Sequence, residues 1–140
     1  MAVGITFRET PDEDERRAIL EILVESNLRR GPAPQLRPFA FVLRDGDGPV
    51  QGGLWGRTAY DWAVVELLVV PEALRGQGVG RDLIARAEAL ARARGCRGIW
   101  LDTFGFQAPG FYQGLGYEVF GRLPENPRGH DRVFLRKMLA

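Results

Sequence analysis

Apolar and polar positions repeat along this chain with two periods, and each change of period marks a change of element. Alternation from Val3 to Arg8 predicts a half-buried first strand. Thr10-Pro11-Asp12-Glu13 then predicts a helix start, with Thr10 as cap, Pro11 at the first helical position and Glu13 closing a capping box. Ile19, Ile22, Leu23, Val24 and Leu28 give this helix an apolar face, and Gly31 ends it. Prolines at 32, 34 and 38 make the following segment irregular. Phe39 to Arg44 and Val50 to Tyr60 read as strands joined through Asp45-Gly46-Asp47-Gly48. Trp62 to Val70 is a near-continuous apolar run, the pattern of a central strand. From Val79 the period lengthens: Val79, Leu83, Ile84, Ala87, Leu90 and Ala91 share one helical face, and Gly95 stands where a C-cap is expected. Asp82 with Arg86 and Glu88 with Arg92 are acid-first pairs four apart. Arg97 to Thr103, Tyr117 to Arg122 and Asp131 to Leu139 are further strands, with a loop and short helix over Phe104 to Leu115. No repeat or linker interrupts the pattern, which predicts one α/β domain over residues 1–140.

Composition narrows the function by exclusion. A hydrophobic content of 45%, a charged content of 26% and a net charge of +1 describe a soluble globular chain with no drive toward nucleic acid or anionic membrane. Cys96 and His130 are the only residues of their kinds, so neither an intrachain disulfide nor a metal site is expected. The first residues lack the basic and apolar regions of a signal peptide, and no apolar run has membrane-spanning length. A cytoplasmic protein, monomer or homodimer, is the expectation.

The turn between the central strand and the long helix carries the first chemistry. Val64-Val65-Glu66-Leu67-Leu68-Val69-Val70-Pro71 is followed by Arg75-Gly76-Gln77-Gly78-Val79-Gly80. Unpaired N–H groups and the positive end of the helix dipole gather at a helix start, and glycines admit an anion close to the backbone. The turn is therefore suited to phosphate. A Walker A loop is excluded because its second glycine would fall on Arg81. A dinucleotide fingerprint is excluded because its last glycine would fall on Arg81 or Leu83.

The pattern that fits is Arg/Gln-x-x-Gly-x-Gly after a strand ending in Val-x-Pro, which resembles the pyrophosphate motif of the GCN5-related N-acetyltransferases (GNAT family). A second stretch, Ala108-Pro109-Gly110-Phe111-Tyr112-Gln113-Gly114-Leu115-Gly116-Tyr117, is similar to that family's Asn-x-x-Ala-x-x-Phe-Tyr-x-x-Leu-Gly-Phe, with Gly105 where the asparagine would stand. The resemblance implies a mixed, mostly antiparallel central sheet flanked by helices. It also implies acetyl-CoA as co-substrate and a primary amine of a small molecule or peptide as acceptor. Backbone groups of Leu68, Val69 and Val70 would pair with the pantetheine, an N–H there facing the thioester oxygen. Arg75, Gly76, Gln77, Gly78, Val79 and Gly80 would form the pyrophosphate turn, with Ala108 and Phe111 matching the cofactor side of the second motif. Tyr112 matches the tyrosine that protonates the departing thiolate.

Glu66 stands out without any family. A carboxylate in a run buried on both faces must be paired, exposed in a cleft or raised in pKa. It reads either as general base or amine anchor, or as one half of an ion pair with an arginine. His130 and Asp102 are open to an acceptor-site or a merely local role, and Trp55 and Tyr60 to a pocket wall or core packing. A catalytically silent acyl-CoA-binding module is the alternative function, supported by Gly105. A Rossmann-type domain using Asp102 is a further one that lacks the third glycine.

Overall fold

Residues 2–140 are described here by a computed structural model. They divide into two units, one ending at Ala33 and the other running from Pro34 to Ala140. In the N-terminal unit, helix α1 spans Glu13–Arg30. Its cap is Asp12, whose carboxylate accepts from the Asp14 N–H at 2.9 Å, and not Thr10. Three acidic residues in the first turn and two arginines in the last complement the helix dipole. The apolar residues do not collect on one stripe, since Ala18, Ile19, Leu20, Ile22, Leu23 and Val24 run around the cylinder, and none is buried. Residues 3–8 form no strand. Alternation supplies only half of a strand; the other half is a neighbour, and among the described residues this unit has no second strand to pair with.

The second unit is built on six strands in the order β1-β2-β3-β4-β6-β5. They are β1 (Arg37–Leu43), β2 (Gly52–Ala59), β3 (Trp62–Val69), β4 (Gly98–Phe104), β5 (Glu118–Leu123) and β6 (Arg132–Met138). Only β3 and β4 pair in parallel, so the sheet is mixed and mostly antiparallel. Pro38 lies within β1, an edge strand, the place in a sheet where proline is tolerated. Helix α2 (Val79–Ala93) makes the crossover from β3 to β4, and a single short helix, α3 (Pro109–Gly114), precedes β5.

The core lies between α2 and one face of the sheet, where Leu83, Ile84, Ala87 and Ala91 meet Ala63, Val65, Ile99, Leu101, Val133 and Leu135. The expected Asp82–Arg86 pair is present at 3.3 Å. Glu88 behaves differently: it is buried and pairs with Lys137 at 3.0 Å rather than with Arg92. No helix among the described residues is long and apolar enough to cross a membrane.

Candidate active site

Two irregularities in β3 open the sheet. Gly56 on β2 faces Val65, while Trp55 faces Leu67, so Glu66 is an extra residue, a β-bulge. On the other side, the ladder with β4 ends at Val65 and Leu101. From Glu66 to Val69, β3 therefore keeps its bonds to β2 while its β4-facing edge carries no strand. The burial expected for this run fails for the same reason: Leu67 and Val69 are exposed.

The opening is a cleft of about 1070 Å³. Its floor is Val65 to Val70, its far wall Leu101 to Phe104, and its ends are the α2 turn and α3. Glu66, Leu68, Val69, Val70, Arg75, Gly76, Gly78, Val79, Gly80, Ala108, Phe111 and Tyr112 all line it. Gln77 does not; its side-chain amide donates to the Ala73 carbonyl at 3.2 Å and braces the turn from outside.

The glycines of the turn differ in physical role. Gly78 caps α2 in the left-handed region at φ 80, with open space where a side chain would project. Gly80 has ordinary backbone, but a Cβ there would come within 3.2 Å of the Phe111 ring and 3.6 Å of Val70. It lets the first turn of α2 close on α3 and the end of β3. The first intrahelical bond runs from the Asp82 N–H to the Gly78 carbonyl at 3.0 Å, so the N–H groups of Val79, Gly80 and Arg81 lie ahead of the ladder. Arg75 ties this loop to the strand through its Nε, which donates to the Val70 carbonyl at 3.1 Å.

Tyr112 is buried on α3, in edge-to-face contact with Phe111 and Tyr117. Desolvation pushes its phenol up to about 12, so it holds its proton at neutral pH. Its hydroxyl has no hydrogen-bond partner among the described residues, whereas the Tyr117 hydroxyl donates to Glu88 at 2.8 Å.

Glu66 is both paired and open to the cleft. Its carboxylate accepts from Arg57 at 2.6 Å, with both side chains more than a third exposed, and it lines the cleft. Asp102 is held by Arg132 at 2.8 Å, and that carboxylate raises the guanidinium still further. Arg132 also lies over the rings of Phe104 and Phe134. His130 is exposed on the loop before β6, edge-on to Phe106, a cleft residue. Trp55 and Tyr60 are half exposed and belong neither to the core nor to the cleft lining.

Gly105 donates its N–H to the Asp131 carbonyl at 2.7 Å. The side chain that organises this loop is Gln107, which sequence reasoning passed over. Its carbonyl oxygen accepts from Thr103 at 2.9 Å and from the Phe104 N–H at 3.0 Å, leaving its amide N–H groups as donors at the cleft. An amide three residues after the strand end was the available signal.

Comparison with known proteins gives a consistent result. The profile of the Acetyltransferase (GNAT) family matches residues 5–117. An acetyltransferase of Agrobacterium fabrum is 39% identical over 96% of this chain and 98% of its own. The blasticidin-S acetyltransferase of Streptomyces morookaense is 42% identical over 90% of this chain and 92% of its own. The crystal structure of an acetyltransferase from Bacillus cereus superposes with a TM-score of 0.84 at 29% identity, over 96% of this chain and 98% of that one.

Proposed function

This chain belongs to the acetyltransferase (GNAT) family and is an acyl-CoA-dependent N-acetyltransferase, and on that premise we propose that it carries an acetyl group from acetyl-CoA to a primary amine of a small molecule or peptide. One observation carries the choice of donor: the open edge of β3 and the glycine-opened start of α2 share a single cleft. A strand edge offers alternating N–H and C=O groups to the amides of a pantetheine arm, and a helix start offers N–H groups to a pyrophosphate. Leu68, Val69 and Val70 take the first role; Gly78 to Gly80, with Arg75 and Gly76, take the second, and Gln77 supports the turn from behind. Ala108, Phe111 and the donor groups of Gln107 close over the arm. The relatives that share nearly the full length are named acetyltransferases, which sets aside the silent-module alternative despite Gly105.

Acetyl-CoA supplies an activated thioester. The protein residues supply proton management and position. Glu66 takes the proton of the incoming amine, directly or through water, while Arg57 holds the carboxylate at the mouth of the cleft. An N–H of the open β3 edge faces the oxygen that gains charge. The Tyr112 hydroxyl gives a proton to the sulfur that leaves, a role its protonated state at neutral pH permits.

A thiol-release assay with acetyl-CoA and a panel of amines tests the whole reading. Because one relative acts on blasticidin S, the panel includes that antibiotic beside polyamines, amino acids and peptides. Cys96 is buried and its thiol is pushed up by desolvation, so it interferes little with detection. Amine-dependent release supports the proposal. A melting temperature raised by acetyl-CoA with no release for any amine overturns the acceptor, and no rise at all overturns the donor.

A further inference from the structure

The six-residue α3 carries Phe111 and Tyr112, yet a helix of one and a half turns does not hold itself together. What holds it comes from two distant elements. Lys137 on β6 sends its ammonium to the Leu115 carbonyl at 3.0 Å, at the C-cap of α3, and to Glu88 Oε1 at 3.0 Å. Positive charge is favourable at a helix C-terminus. The other oxygen of Glu88, a residue only 7% exposed on α2, accepts from the Tyr117 hydroxyl at 2.8 Å. The circle closes on Tyr112: the Tyr117 ring meets its ring edge-on at 6.1 Å, and the Tyr117 N–H donates to its carbonyl at 3.1 Å. The Lys137 ammonium also lies 5.7 Å from the centre of the Tyr117 ring. The charged and hydroxyl ends of Lys137, Glu88 and Tyr117 are all bonded within this largely buried group, the condition for a charged cluster to fix one geometry.

We propose that Lys137, Glu88 and Tyr117 are positioning residues, a clamp that ties α3 to α2 and β6 and so sets the Tyr112 hydroxyl at the cleft. The functional half of this proposal rests on the acetyl-transfer reading; the structural half does not. Burial and the bond to Glu88 push the Tyr117 phenol up, which keeps it a donor. None of the three touches the cleft, so the clamp acts on turnover only through α3.

The test removes all three polar ends together, in E88L/Y117F/K137M. Apolar replacement of a whole buried ion network usually leaves a folded protein, whereas removing one partner strands the others. Y117F alone is the second variant, and it decides the matter if the triple variant does not fold. In both, the amides of Leu115, Gly116 and Tyr117 should exchange hydrogen faster while β3 and β4 keep their protection. Turnover at saturation should fall about tenfold or more in the triple variant, with the KM for acetyl-CoA within about twofold, because misplacement of a reacting group acts on kcat. On a Y112F background the same three changes should cost nothing further. Unchanged exchange at these amides overturns the clamp. Faster exchange with normal turnover, or a loss undiminished on the Y112F background, overturns its action through Tyr112. If the unaltered protein releases no thiol with any amine, the acetyl-transfer reading falls, and the exchange measurement still decides the clamp.

Discussion

At the scale of single residues, the bulge at Glu66 changes what a substitution there reports. A buried ion pair would make Glu66→Gln a stability mutant, but this pair with Arg57 is partly solvated, and solvated pairs contribute only about 0.2–1 kcal/mol. Glu66→Gln should therefore leave the melting temperature nearly unchanged while turnover falls or the amine KM rises, with acetyl-CoA affinity kept. A collapse of the melting temperature with normal kinetics in the remaining folded protein would return Glu66 to a structural role. Tyr112→Phe removes one hydroxyl without a partner among the described residues, so folding and cofactor affinity should hold. Turnover, measured where chemistry is rate-limiting, should drop by roughly 10²–10⁴-fold, the span of acid–base catalysis. Unaltered turnover would remove Tyr112 as proton donor.

At the scale of elements, the strand-to-helix turn was legible because its chemistry is local: a glycine cap, a run of free N–H groups and a strand before them are all written within a few residues. The bulge was not legible, since it arises from the register between β2 and β3 and from the point at which β4 leaves the ladder. Glu88 was misread for a related reason. Spacing within one helix named Arg92 as its partner, while the fold delivers Lys137 from 49 positions away. At the start of α1, the pattern named Thr10 as the cap, and the cap is Asp12, two residues further on, whose carboxylate accepts from the Asp14 N–H. The turn also yields a prediction. At Gly78 a side chain meets nothing, and aspartate tolerates the left-handed region better than most residues. Gly78→Asp should therefore fold and should lose the rise in melting temperature with acetyl-CoA, because its charge opposes the pyrophosphate. A full rise in the variant would move the phosphates elsewhere.

At the scale of the molecule, the two buried phenols make stability depend on alkaline pH. Tyr112 is raised to about 12 and Tyr117 further, against about 10 in an unfolded chain. Below the unfolded value both states hold these protons and stability is flat. Above it the unfolded chain gives them up first, so stability declines as pH rises from about 10 toward 12. Thermal melts across that window should show the decline, and Tyr117→Phe should make it shallower. An identical slope in the variant would place the loss on other groups.

The clamp also has a consequence for how the protein survives its own reagent. Lys137 is the chain's single lysine, and its ammonium is engaged by Glu88 and the Leu115 carbonyl. An ammonium whose N–H groups are taken up by a carboxylate and a carbonyl is turned away from an incoming acyl donor. Nineteen basic residues thus include eighteen guanidinium groups, which do not compete for an acetyl donor, and one ε-amine that the fold withdraws from reaction. The folded chain presents no free lysine to self-acetylation, and amine-directed labels and lysine-specific proteases should find it only after unfolding.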